Sequence, residues 1–174
     1  MSIACPTTVP WRSFMVEVGI RAVSADRRFM VAVEREPLAY MIATAHAANQ
    51  METGGVLIGF IDANGQAVIR EATGKPRGSQ FTWRTFLRKT DGLAALLKSR
   101  WSKNEHYLGE WHSHPGGSPS PSAQDIATMK GISLDPKYYC SEPILIIVGT
   151  RHGTAELSIH VFPKGVSELV LRTE

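Results

Sequence analysis

Hydrophobic and polar positions along this chain switch between two periods, and the switches mark its elements. Residues 29–34, FMVAVE, alternate at every second position and predict a strand. Arg35-Glu36-Pro37 follows, and a proline there suits the first turn of a helix. Leu38, Met41, Ile42 and Ala45 recur at helical spacing as far as about Asn49, with His46 continuing that stripe as a packed histidine. The apolar run TGGVLIGFID (53–62), the turn Asn64-Gly65 and the returning QAVIREAT predict a hairpin. Leu93, Leu96, Leu97 and Trp101 form a second helical stripe, with Phe86 one heptad earlier. HYLGEWH (106–112) reads as a strand, SAQDIATMKGISL as a helix weakened near its end by Gly131, and PILIIVGT with AELSIHVFP as a closing hairpin around Arg151-His152-Gly153.

Residues 14–23, FMVEVGIRAV, alternate too, but fit a strand and an extension outside the core equally well. Residues 1–28 are therefore read as an N-terminal extension or extra strand, and 29–174 as the domain. The order strand, helix, hairpin, helix, strand, helix, hairpin predicts an α+β (mixed α/β) fold, a mixed β-sheet flanked by helices. Helices and strands do not alternate strictly, which argues against a doubly wound parallel sheet.

Composition narrows the classes. The 174 residues are 43% hydrophobic and 20% charged, the balance of a globular protein with one core. No run approaches the length of a membrane span, and MSIACPTTVPWRSF lacks the basic and apolar regions of a signal peptide, so a cytoplasmic protein is expected. The net charge of +3 is scattered, with Arg27-Arg28 and Arg84…Arg88-Lys89 the densest groups, and gives a nucleic-acid interface little support. Cys5 and Cys140 form no CxxC pair, which argues against a thiolate zinc site and against a disulfide framework.

The chemistry concentrates in GEWHSHPGGSPSPSAQD, residues 109–125. In an extended chain His112 and His114 point to one face, so their imidazoles can converge on one ion. Asp125, eleven residues after His114, can swing back as a third ligand. Two nitrogens and one oxygen leave the open position of a catalytic zinc, which would bring a bound water's pKa to about 7. The same residues admit plainer readings. Two histidines on an edge strand look alike, and Ser122-Ala-Gln-Asp125 is also a capping box. With Ser120 as N-cap and Pro121 in the first helical position, Ser122 and Asp125 would instead share a helix face. Glu110 shares the histidines' face and reads as a solvated strand residue. Trp111 faces the core, and Ser113 is assigned to packing or hydrogen bonding on the opposite face. His106, His152 and His160 have no partner at ligand spacing. Gly54, Gly55 and Gly59 make no phosphate loop and instead suit close backbone approach.

His-Ser-His-Pro, six residues, then Ser-x-x-Asp resembles the motif of the JAMM (MPN+) zinc metalloprotease family, and METGGVLIGF supplies at Glu52 the glutamate which that family carries on an early strand. The resemblance covers roughly residues 29–162. GEWHSHP and ETGGVLIG together look like its bacterial Prok-JAB branch, whereas the RadC branch lacks Glu110-Trp111 before the first histidine. The resemblance implies a sheet-and-helix, cytidine-deaminase-like architecture and one Zn2+ held by His112, His114 and Asp125. It implies Glu52 as general base and Ser122 as donor to the oxyanion. It further implies cleavage of an isopeptide or C-terminal bond of a ubiquitin-like protein, in a pathway with ubiquitin-like activating or conjugating enzymes, antiphage defence being one such setting. A RadC-like or small-amide hydrolase and a non-catalytic MPN module are the alternatives. The segments ATGKPRGSQFTW and SLDPKYYCSEP are candidates for the substrate groove.

Overall fold

In the computed structural model, residues 17–74, 97–164 and 169–173 are described. Eight strands, β1 (Val18–Ser24), β2 (Met30–Glu34), β3 (Gly54–Ile61), β4 (Ala67–Ala72), β5 (His106–His114), β6 (Ile144–Gly149), β7 (Glu156–Val161) and β8 (Leu169–Thr173), close into a barrel in the order β1-β2-β4-β3-β5-β6-β7-β8. This corrects the expected fold class, a mixed sheet flanked by helices with a cytidine-deaminase-like architecture. The expected sheet had two free edges; here β8 pairs antiparallel with both β7 and β1 and removes them. Among the described strands, only β2–β4 and β5–β6 pair in parallel. Each parallel pair is separated in sequence by a helix-containing connection, as a crossover requires.

Helix α1 (Arg35–Ala47) begins directly after β2 with Glu34 as N-cap. Pro37 is in its first turn, where a missing N–H costs nothing. Met41 and Ala45 bury against Val33, Leu57, Ile69 and Trp111 in the larger core cluster. His46 is exposed, so it does not continue the packed stripe. Helix α2 (Ala123–Leu134) places Met129 and Ile132 in a second cluster with Val56, Ile58, Leu145, Ile147 and Phe162. Alternate residues of β3, β5 and β6 supply the two clusters, so these strands are covered on both faces, as the fully buried pattern of β6 requires.

The hairpin turn at Asn64-Gly65 forms as the sequence predicts. Asp62 Oδ1 accepts from the amides of Asn64 and Gln66, and Gly65 takes a positive φ of 78°. Of the second helical stripe, residues 97–101 are helical and Trp101 is 67% exposed; Phe86, Leu93 and Leu96 lie outside the described residues.

In β5 the pairing with β3 slips: Leu57 is opposite Gly109 and Ile58 opposite Tyr107, leaving Leu108 as an extra residue. This bulge turns Tyr107 into the α2-side cluster and Leu108 into the α1-side one, and from Glu110 onward it sets which residues face α2. Gly109 permits it. Its φ is 150°, and a Cβ there would run into the Ile144 carbonyl of β6.

Candidate metal centre

β5 ends between β3 and β6 in the barrel wall, and carries His112 and His114 on its α2 side. Their Nε2 atoms are 3.0 Å apart. Asp125, 3% exposed, approaches from the first turn of α2. Its Oδ1 lies 3.6 Å from His112 Nε2 and its Oδ2 3.8 Å from His114 Nε2. Ligands at zinc–nitrogen and zinc–oxygen distances near 2.0 Å in a tetrahedron sit about 3.3 Å from one another. One donor atom from each of the three residues lies within 4.8 Å of the other two, and this cluster could hold a metal ion.

The histidine tautomer fits as well. His114 Nδ1 lies 3.0 Å from the carbonyl oxygen of Ser118, an acceptor only, so Nδ1 carries the hydrogen and Nε2 presents its lone pair to the triangle. Burial would raise the Asp125 carboxyl, but hydrogen bonds from His112 and Ser122 outweigh it and hold the group well below the usual carboxylate range. The fold thus favours the carboxylate form of the third donor.

Ser122 is the N-cap of α2, so the alternative frame with Ser120 as cap does not form. Its Oγ accepts from the Asp125 amide at 3.2 Å and donates to Asp125 Oδ2 at 2.6 Å, while its own amide donates to the same oxygen at 2.8 Å. The capping box and the candidate metal ligand share one pair of residues: the reciprocal bonds that start the helix also aim Asp125 at the histidines.

Glu52 lies outside the three-donor cluster, exposed and two residues before β3. Its neighbour Thr53 is sewn to β5 twice. The Thr53 amide donates to Ser113 Oγ at 3.1 Å, and the Ser113 amide donates to the Thr53 carbonyl at 2.8 Å. Gly54 pairs with His112, and a Cβ on Gly54 would run into the Trp111 carbonyl. This close approach holds the chain leading from Glu52 against the strand of the histidines.

Three further features escaped the sequence reading. Glu110 is 2% exposed rather than solvated, and burial together with its carboxylate pushes the Tyr107 hydroxyl well above its ordinary value. The loop between His114 and Ser122 is fastened to β6 and β7. Gly116 donates to Thr150 Oγ1 at 3.1 Å, and Ser158 Oγ donates to the Pro119 carbonyl. His160, 3% exposed, stands 2.7 Å from Ser158 Oγ. Spacing along the chain carried no signal for Ser158 or His160, because β7 reaches this loop only in the folded sheet. Of the two groove candidates, residues 75–83 lie outside the described residues. Residues 133–143 include a 3-10 turn, Pro136–Tyr138, and Tyr139 at 91% exposure. Among the described residues no helix is long and apolar enough to cross a membrane.

Comparison with known proteins agrees with the motif. A relative from Enterobacter hormaechei subsp. hoffmannii (strain UCI 50), named CD-NTase/cGAS isopeptidase, is 38% identical over 83% of this chain and 81% of its own length. A protein of the same name from Pseudomonas aeruginosa (strain BWHPSA011 / Pa011) is 30% identical over 58% of this chain and 64% of its own. A solution structure of a Desulfitobacterium hafniense protein superposes with a TM-score of 0.56 at 21% identity, covering 83% of this chain and 90% of that one, a likeness of fold alone. The family of prokaryotic homologs of the JAB domain, Prok-JAB, matches residues 35–160, a span that holds Glu52, both histidines, Ser122 and Asp125, and the chain belongs to that family.

Proposed function

We propose that this chain is a zinc-dependent isopeptidase that releases a ubiquitin-like protein from a target lysine, or trims such a protein's C-terminus. The observation that carries the reading is the donor triangle of His112, His114 and Asp125, with one imidazole's tautomer fixed toward the ion. The family and the isopeptidase name of the relatives support the reaction class. Their CD-NTase/cGAS naming supports a conjugate within a CD-NTase antiphage setting, with ubiquitin-like activating or conjugating enzymes as pathway partners.

His112, His114 and Asp125 would hold the zinc, which would supply Lewis-acid chemistry: an acidified water and a polarised carbonyl. The chain's own residues do the rest. Glu52 takes the proton from the attacking water and delivers it to the lysine amine as the C–N bond breaks, leaving a carboxylate and a free amine. Standing outside the donor triangle suits that role, since a base acts on the water rather than on the ion. Ser122 Oγ turns its hydrogen from Asp125 toward the carbonyl oxygen as negative charge develops there.

The test uses an isopeptide-linked conjugate of a ubiquitin-like C-terminal tail to a fluorescent lysine peptide. Wild-type protein is expected to cleave it, with loss of activity in chelator and recovery with Zn2+. Glu52→Gln is expected to lower kcat by about 10²- to 10⁴-fold while bound zinc remains at one equivalent. Wild-type rates in the glutamine variant, or cleavage untouched by complete zinc removal, would overturn the reading.

A further inference from the structure

A chain of hydrogen bonds ends on the loop that serves the metal centre, and it starts on a strand to which the motif assigns nothing. Ser158 and His160 sit two apart on β7, opposite Ile147 and Leu145 of β6. Ser158 Oγ donates to the Pro119 carbonyl. A serine hydroxyl has a single hydrogen, so at 2.7 Å the Oγ must accept from His160, whose Nε2 therefore carries a proton. The residue before Pro119 is Ser118, and its carbonyl takes the Nδ1 hydrogen of His114. The path runs His160, Ser158, Pro119, Ser118, His114, and every link is a hydrogen bond or the covalent backbone of adjacent residues.

The loop is held from beneath as well. At Gly149, the last residue of β6, a Cβ would press on the Gly117 carbonyl and on backbone atoms of Ser118 and Pro119. The loop therefore rests directly on the β6 backbone while Ser158 draws it toward β7. Pro119 contributes no N–H, so its carbonyl is its one handle for fixing the loop there.

We infer that Ser158 and His160 are positioning residues for the metal centre, setting the orientation of the Ser118 carbonyl and through it the tautomer and aim of His114. The inference rests on the metal-site reading above. It adds a determinant of metal affinity from outside the motif, since groups that orient a ligating histidine commonly change affinity 10- to 100-fold when removed.

The experiment measures Zn2+ affinity by chelator competition and follows the His114 Nδ1–H resonance by NMR. Ser158→Ala and His160→Ala are expected to weaken zinc binding about 10- to 100-fold and to shift or broaden that resonance. His160→Gln, whose amide places an N–H where Nε2–H stood, is expected to restore most of the affinity. Gly149→Ala, which pushes the same loop from the other side, is expected to weaken binding with both β7 residues intact. Circular dichroism of the metal-free proteins checks folding, and should Ser158→Ala fail to fold, His160→Gln set against His160→Ala carries the comparison. Wild-type affinity and an unmoved resonance in folded Ser158→Ala and His160→Ala would overturn the inference while leaving the metal site standing. If the wild-type protein itself binds no zinc, the underlying reading fails instead.

Discussion

Ser122 and Asp125 cap α2 and, in the proposed function, also serve the metal site and the reaction, and the two tasks can be separated by choice of substitution. Ser122→Ala removes the cap and the hydroxyl together, and is expected to cost about 1 kcal/mol of stability along with a fall in kcat of about 10²-fold or more. Ser122→Gly keeps most of the capping preference, so its stability loss is expected to be a few tenths of a kcal/mol with the same fall in kcat. Urea unfolding and steady-state rates on the two variants would distinguish them; equal rates in Ser122→Gly and wild type would remove the serine from the reaction. Cys140 offers a second residue-level test. Burial raises its thiol from 9.0 to about 11, so the thiolate fraction at pH 8 falls about 100-fold and alkylation is expected to slow by that factor against the unfolded chain. The sign for stability follows: the fold favours the neutral thiol, so nothing is lost below pH 9 and stability declines as pH rises from there toward 11.

Among the elements, β5 was half legible. Its alternation from Glu110 to His114 places the two histidines on one face, which is all a metal pair needs from a strand. The preceding half was not, because a bulge is an event of pairing: Leu108 is extra only relative to Ile58 and Leu57 on β3. Read by strict alternation, Tyr107 and Leu108 exchange faces. Gly109→Ala tests what holds the bulge. It combines a φ of 150° with a collision against the Ile144 carbonyl, and about 3 kcal/mol or more of destabilisation is expected in chemical unfolding. The start of α2 was open in the sequence between two caps; the reciprocal bonds of Ser122 with Asp125 decide it. His46 and Glu110 were misjudged for one reason. Helical or strand spacing gives a face, and what covers that face is decided by elements distant in sequence.

At the scale of the whole molecule, closure is what the sequence did not reveal. β8 is five residues, LVLRT, with Leu171 alone fully buried, too short a pattern to declare a strand. β1 alternated but could not show a partner. Each makes sense only with the other, because Ala22, Val23 and Ser24 pair with Thr173, Arg172 and Leu171. Leu171→Ala is therefore expected to cost about 2–3 kcal/mol, against about 0.5 kcal/mol or less for the exposed Val170→Ala, as read by denaturant midpoints. A smaller loss at Leu171 would mean that the seam between β8 and β1 contributes little.

The paired hydrogen bonds between Thr53 and Ser113 have a consequence for how such a catalyst can diversify. They fasten the acid's stretch of chain to the residue between the two imidazoles, spanning sixty positions of sequence. The connections on either side of β4, between β3 and β5, can then change in length or character while these two segments keep their register. New recognition surfaces can be tried there at little risk to the chemistry.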